Sequence, residues 1–169
     1  LGPVRRPQRK DVNVHEVLER VVALIASEHR EAVKLIRDYD PSLPPLSADP
    51  DQLMQALLNI TRNAVQSIAQ DGNVIFRTRA LTNFPIGAIR HKLVLSIEIE
   101  DNGPGVPADL AESIFYPLVT GRPDGTGLGL PISQDLVSRH GGLIEYQSRP
   151  GRTVFTVRLP AVAPAPEVA

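Results

Sequence analysis

The sequence predicts a single domain that combines amphipathic helices with half-buried strands. Two stretches repeat apolar residues at helical spacing, two others alternate apolar with polar residues, and two more flank a turn signal near the end of the chain. The 169 residues are enough to bury a sizeable core. A formal net charge of −1 argues against a nucleic-acid or membrane-surface binder, and the lack of cysteines excludes disulfides and thiolate metal sites. These properties are compatible with a cytoplasmic protein.

The first helix follows a proline-rich segment. Residues 1–10 hold two prolines and four basic residues without apolar periodicity, which predicts a linker. Asn13 and Glu16 then form a capping-box pattern that opens an amphipathic helix over residues 13–28. A short strand is predicted over residues 32–39, ending at a turn rich in proline.

The second helix has a clear start at Asp49 and Pro50. A carboxylate at the N-cap and proline at the first helical position are both typical of helix N-termini. One face of the helix is apolar and is assigned to the core. Its residues are Leu53, Leu57, Ile60, Ala64 and Ile68.

A row of amides borders that apolar face. Asn59, Asn63 and Gln66 are spaced four and three residues apart, so their side chains line up along the helix. Asparagine is a poor residue for a helix interior because its amide competes for backbone hydrogen bonds. The two asparagines are either tolerated boundary residues or part of a row of amide oxygens that faces a metal–phosphate group.

Two alternating strands follow a turn at Asp71-Gly72-Asn73. Residues 74–80 and 95–99 each show one apolar and one polar face, and residues 81–92 between them are predicted to form a loop. Continuing the alternation of the second strand places Asp101 on its core side.

A carboxylate at that position is costly unless donors satisfy it. Asp101 is followed by Asn102-Gly103-Pro104-Gly105, whose glycines let a flat ligand approach the backbone. Asp101 either caps a turn or accepts a hydrogen bond from the exocyclic amino group of a purine.

The third helix is preceded by a glycine-rich segment. A short helix is predicted over residues 107–113 and a mobile lid over residues 118–126, where Arg122 either closes on a terminal phosphate or is solvated. Gly125 to Leu130 then alternates glycine with other residues, and a helix extends to His140. Exposed amides at a helix N-terminus suit phosphate, although a glycine-rich loop also serves as a hinge.

A hairpin and a tail complete the chain. Residues 143–148 and 153–159 flank a turn signal and predict an antiparallel pair. Residues 161–169 have little to bury and are predicted to be a disordered tail.

Together these stretches resemble the ATP-binding catalytic domain of sensor histidine kinases, of the GHKL superfamily. The N box matches at residues 59–64, the first glycine box at 101–105 and the second at 125–130, while Phe115 falls at the F box. The resemblance covers residues 11–160, and residues 35–44 and 115–122 look like the nitrogen-regulation members of the family. A match of three boxes in order is far more specific than any one of them.

The resemblance implies an α+β fold of the Bergerat type. In that fold a two-layer sandwich has about three helices covering one face of a mixed sheet, and ATP lies between the helices and a mobile lid. Applied to this chain, the family pattern makes Asn63 the principal Mg²⁺ ligand and a catalytic residue together with Arg122. It makes Asp101 the partner of the adenine amino group. The other implied nucleotide-binding residues are Asn59, Gln66, Gly103, Gly105, Gly125, Thr126, Gly127, Leu128, Gly129 and Thr153.

Two positions distinguish this chain from other members of the family. Some members have an aromatic residue four positions after the metal-binding asparagine, where it stacks on adenine, but this chain has Ser67. Hydrolytic members such as DNA gyrase and Hsp90 place a general-base glutamate at the position of Asn59, and an amide cannot take a proton from water. The resemblance therefore favours phosphoryl transfer to a protein histidine over a GHKL ATPase.

The resemblance also implies partners. His15 continues the first helix and is interpreted as structural, and none of the four histidines has the context of a phosphoacceptor. Because the sequence begins with Leu1, we expect a longer protein with the acceptor on an upstream dimerisation domain. The expected protein partners are an NtrC-like response regulator and a PII-like signal protein. The alternative is a nucleotide-sensing module that controls dephosphorylation of the regulator.

Overall fold

The computed structural model describes residues 5–28, 33–68, 71–104 and 129–163. Within these ranges the helices are α1 (Val14–Glu28), α2 (Pro50–Gln66) and α3 (Gly129–Arg139). The strands in the same ranges are β1 (Lys10–Val12), β2 (Val33–Asp38), β3 (Leu46–Ala48), β4 (Gly72–Ile86), β5 (Ile89–Asp101), β6 (Leu143–Arg149) and β7 (Arg152–Pro160). None of these helices is both long and apolar enough to cross a lipid bilayer.

The three helices pack on one face of a mixed sheet. Its strand order is β2-β4-β5-β7-β6, with β2 and β4 parallel and the other neighbours antiparallel. Strands β1 and β3 form a separate antiparallel pair. This arrangement confirms the predicted α+β sandwich with three helices on a mixed sheet.

The core lies between the helices and the sheet. Alternate residues of the three central strands, including Phe76, Ile97 and Phe155, are fully buried and face apolar side chains such as Leu18 and Leu57. The opposite face of the sheet is charged and carries ion pairs. The alternation of the central strands therefore specifies which side of each strand the helices cover.

The strand register brings the ends of β5 and β7 together. Asp101 is opposite Val74 of β4 and Thr153 of β7, in the same row as the buried pairs that precede it. The predicted inward phase of Asp101 is confirmed, since this residue is only 2% exposed.

Both predicted helix starts are confirmed. The side chain of Asn13 accepts from the backbone N–H of His15 at 2.9 Å, at the start of α1. Asp49 is the N-cap of α2 and accepts from the N–H groups of Asp51 and Gln52 at 3.1 and 3.2 Å. Each cap satisfies amides that have no partner inside the helix.

The prediction of a loop over residues 81–92 is wrong. Strands β4 and β5 continue as one hairpin, with pairs that extend to Ile86 opposite Ile89. Asn83 and Gly87 have positive φ angles of 50° and 60° there. The strands were not recognisable from alternation because this part of the hairpin covers no core, so neither face has to be apolar.

Described residues at both ends of the chain have contacts with the domain. Lys10 begins β1, and Arg9 donates through its guanidinium to the carbonyls of Ser47 and Arg139 at 3.0 and 3.4 Å. Ala161 accepts from the N–H of Ser47 at 2.9 Å and is 6% exposed. The domain limits at residues 11 and 160 remain predictions from the sequence, and residues 164–169 lie outside the described ranges.

Candidate functional site

The second half of α2 packs against the start of α3. Asn59 donates through its side-chain amide to the carbonyl of Gly129 at 3.3 Å. One turn further into α3, the buried hydroxyl of Ser133 donates to the carbonyl of Ala56 at 2.9 Å. These two contacts place the last glycine of the second glycine box beside the N-box helix.

The amide row on α2 borders the buried face, as its spacing predicts. Asn59 and Asn63 are half-buried, next to the fully buried Ile60 and Ala64. Gln66 is exposed, and its side chain makes no hydrogen bond within the described ranges. The two asparagines thus lie at the edge of the buried face of α2.

Asp101 lies beside the C-terminal end of α2. Its Oδ1 accepts from the backbone N–H of Gly103 at 2.9 Å and from the hydroxyl of Ser67 at 3.1 Å. These donors offset part of the cost of burying a carboxylate. Ser67 is the C-cap residue of α2, so this hydrogen bond connects the end of β5 to the N-box helix.

The first glycine box is packed closely against α2. A Cβ atom on Gly103 would lie 2.7 Å from the hydroxyl and 2.8 Å from the carbonyl oxygen of Ser67. The carbonyl of Gly103 accepts from the N–H of Gly151 at 2.9 Å, which attaches the box to the turn between β6 and β7. Packing within the protein therefore requires glycine at this position.

Thr153 is buried beside Asp101. It is 3% exposed, and its hydroxyl lies 2.7 Å from the hydroxyl of Ser148 on β6. Asp101, Gly103 and Thr153, three of the residues predicted to bind the nucleotide, thus lie at the same end of the sheet.

Two histidines have partners that explain them. His140 is buried; its Nδ1 donates to the carbonyl of Leu136 at 2.8 Å, and its Nε2 accepts from the N–H of Asp49 at 3.1 Å. His15 stacks on Tyr39 with ring centroids 4.5 Å apart, and its Nε2 is 2.8 Å from the hydroxyl of Thr78. Burial lowers the pKa of both imidazoles. These contacts agree with the structural role predicted for His15 and with the place of His140 at the end of a predicted helix.

Several predicted residues lie outside the described ranges. They are Gly105, the helix over residues 107–113, Phe115, the lid with Arg122, and Gly125, Thr126, Gly127 and Leu128.

The candidate metal ligands among the described residues are neutral amides. No cluster of three or more His, Asp or Glu side chains able to hold a metal is found in the described part of the chain. Amide oxygens such as those of Asn59 and Asn63 fit Mg²⁺ when phosphates and water supply most of its ligands, because this ion keeps several waters. The described residues therefore suit a metal that arrives with a polyphosphate.

Sequence reasoning missed the contacts of three serines in this region. Ser67, Ser133 and Ser148 each connect two elements. Only Ser67 had a signal in the sequence, since it lies four residues after Asn63 on the same face of α2.

Comparisons with known proteins agree with this geometry. Residues 48–163 match the family model described as histidine kinase-, DNA gyrase B- and HSP90-like ATPase. The chain is 49% identical over 161 residues to the sensory histidine kinase/phosphatase NtrB of Escherichia coli O157:H7, and 42% identical over 168 residues to that of Rhodobacter capsulatus. These alignments cover 95% and 96% of this chain but 46% of each relative, so the chain spans about half the length of the relatives it matches.

Solved structures show the same fold. The catalytic domain of the histidine kinase ThkA superposes with a TM-score of 0.78 at 24% identity, over 91% of this chain and 96% of that one. Full-length ShkA in complex with AMPPNP gives a TM-score of 0.78 at 26% identity, over 98% of this chain and 34% of that one. The chain belongs to the family of histidine kinase-, DNA gyrase B- and HSP90-like ATPases.

Proposed function

We propose that this chain is the ATP-binding catalytic domain of an NtrB-like sensor histidine kinase. It binds Mg·ATP and presents the γ-phosphoryl group to a histidine on another domain. The observation that carries the proposal is the buried Asp101, held beside Gly103 and Thr153 and joined through Ser67 to the helix that bears Asn59 and Asn63.

The described residues divide the site into two ends. Asp101, Gly103 and Thr153 would hold adenine, with Asp101 accepting from its exocyclic amino group. Asn59, Asn63 and Gln66 would lie along the triphosphate, with Asn63 as the protein ligand of Mg²⁺. The amides of the second glycine box and Arg122 complete the phosphate end in this proposal. The AMPPNP complex of ShkA supports a nucleotide in a domain of this fold.

Mg·ATP supplies the phosphoryl group and a cation that offsets its charge. The chain's own contribution is positioning: two asparagines at the edge of the helix layer and a purine-reading carboxylate at the end of β5. Asn59 is an amide and has no basicity with which to activate water. This property favours transfer to a protein acceptor over hydrolysis.

A second candidate function is regulation of dephosphorylation, because the NtrB relatives are both kinases and phosphatases. The same nucleotide site is therefore also a candidate regulator of response-regulator dephosphorylation. In either case we propose an upstream dimerisation and phosphoacceptor domain, an NtrC-like response regulator and a PII-like signal protein as partners, in the cytoplasm. Support comes from the NtrB relatives, which are about twice as long as this chain.

The proposal is tested by calorimetric titration of the chain with ATP in the presence and absence of Mg²⁺. Asn63→Ala is expected to remove most of the Mg²⁺-dependent part of the affinity, at least about tenfold, because a ligand of the metal is lost. Gln55→Ala, at an exposed position of the same helix, should leave both titrations unchanged. No heat of binding in the unmodified chain, or equal affinities for all three proteins, would contradict the proposal.

Kinase and sensor functions are separated by adding the upstream domain and radiolabelled Mg·ATP. A kinase domain labels the acceptor histidine, and Asn63→Ala abolishes the label. Binding of Mg·ATP without any label, under conditions in which the full-length protein labels itself, would favour the sensor function.

A further inference from the structure

We propose that Ser67 is a specificity-determining residue that orients Asp101 toward purines with a 6-amino group. The inference rests on the proposed role of Asp101 in reading adenine. It concerns a hydroxyl at the position where some relatives of the family carry an aromatic residue.

The hydroxyl of Ser67 lies between two acceptors. It is 2.7 Å from the carbonyl oxygen of Ala64 and 3.1 Å from Oδ1 of Asp101. A hydroxyl has one proton, so the two acceptors share it, and the short contact with Ala64 keeps Ser67 in one rotamer. With its rotamer fixed, Ser67 holds its oxygen at a defined distance from the carboxylate.

Two donors meet at the same oxygen of Asp101. Besides Ser67, the N–H of Gly103 donates to Oδ1 at 2.9 Å. The terminal torsion of an aspartate is broad, so the orientation of a carboxylate depends on the donors around it. The hydroxyl of Ser67 and the amide of Gly103 together define the plane of the Asp101 carboxylate, and therefore the direction of its Oδ2.

A fixed carboxylate discriminates between purines. It accepts from a 6-amino group, whereas the 6-oxo group of a hypoxanthine or guanine base is itself an acceptor, so the carboxylate oxygen that faces it receives no hydrogen bond from that group. A site that hydrogen-bonds one group of a substrate rejects an analogue that lacks this group. The rejection is stronger when the protein group is already oriented.

The packing of Gly103 preserves this arrangement. Because a Cβ at position 103 would come within 2.7 Å of the Ser67 hydroxyl, only glycine leaves that hydroxyl in place. The glycine box and the helix end are therefore coupled through the same oxygen atom.

The experiment compares Mg·ATP with Mg·ITP, which replaces the 6-amino group by an oxo group. Ser67→Ala is expected to weaken ATP binding about three- to tenfold while changing ITP affinity less than about twofold, the effect of losing one ordinary hydrogen bond, because the hydroxyl proton is shared with Ala64. Ser67→Thr keeps the hydroxyl and should keep the ratio of affinities within about twofold. Ser27→Ala is the matched control, because its hydroxyl makes the same 2.7 Å back-bond, to Leu24, near the end of a different helix, α1.

Asp101→Asn separates this inference from the proposed function. If Asp101 reads adenine, that variant loses most of the ATP preference, and adding Ser67→Ala to it has no further effect. An unchanged preference in Asp101→Asn would overturn the adenine assignment and the inference with it. A collapsed preference in Asp101→Asn but an intact one in Ser67→Ala would overturn the inference alone. Equal weakening of ATP and ITP in Ser67→Ala, or a loss in Ser67→Thr as large as in Ser67→Ala, would also contradict it.

Discussion

Two buried aspartates at the ends of secondary-structure elements have different surroundings. Asp49 begins α2 and Asp101 ends β5, both are 2% exposed, and each accepts from the N–H two residues further along. Asp49 also accepts from the guanidinium of Arg5 and from the N–H of Gln8 at 2.9 Å. The described donors to Asp101 both meet at Oδ1.

The donors around Asp49 explain its structural role. Both oxygens of Asp49 are occupied by donors from the helix start and the segment before β1. Burial raises the pKa of Asp49, but the hydrogen bonds from Arg5, Gln8 and Gln52 outweigh it and lower that pKa to about 2. Asp49 thus has a charged donor, the guanidinium of Arg5, whereas the described donors to Asp101 are a hydroxyl and a backbone amide.

The largest effect on folding is expected for Asp49→Ala. This variant loses an N-cap and leaves the partners of a buried carboxylate unpaired, so the free energy of unfolding should fall by about 2–3 kcal/mol. Urea denaturation measures the loss. The matched change Asp101→Ala should cost less than half as much and act mainly on nucleotide affinity. Similar losses of stability in the two variants would show that the carboxylates have the same role.

Acid titration sharpens the same comparison. A carboxylate with a lowered pKa stabilises the fold fully above its unfolded value, and this contribution is lost as the pH falls from 3.8 to about 2. The contribution of Asp49 is at most about 2 kcal/mol, reduced by screening because its partner Arg5 is half exposed. The difference in unfolding free energy between the unmodified chain and Asp49→Asn should therefore shrink across this pH range. A constant difference would contradict the proposed ionisation.

A smaller effect is expected for Arg5→Ala. The Arg5 side chain is 50% exposed, and salt weakens ion pairs of this kind. The loss of stability should be a fraction of that in Asp49→Ala and should disappear in concentrated salt. Lys10→Ala, in the neighbouring exposed strand, is the control. A loss of stability equal to that in Asp49→Ala would mean that the guanidinium of Arg5, and not the helix cap, accounts for the stabilising effect of Asp49.

Much of the fold was predictable because local patterns coincide with burial. Asp49-Pro50 predicted the start of α2, and the alternation of residues 74–80 and 95–99 predicted which strand faces are buried. Strands β1 and β3 were missed because three residues are too few to show a period. The distal part of the β4–β5 hairpin was missed because it packs on no core.

The candidate site was predictable only in part. The phase of Asp101 and the spacing of Asn59 and Asn63 are local properties, so the sequence indicated them correctly. The contact between Ser67 and Asp101 joins residues 34 positions apart. Such a contact depends on how α2 lies across the sheet, which local patterns do not determine.

The extended β4–β5 hairpin has a consequence for solubility. Strand β2 pairs with β4 only as far as Arg77, and β7 pairs with β5 from Val94 onward, so within the described ranges both outer edges of the distal hairpin have no neighbouring strand. Unpaired edges attract other chains. Pro85 removes a donor from one edge, and the exposed charges of Arg90 and Lys92 repel a second copy along the other. The arm can therefore extend from the sheet without recruiting strands from its neighbours.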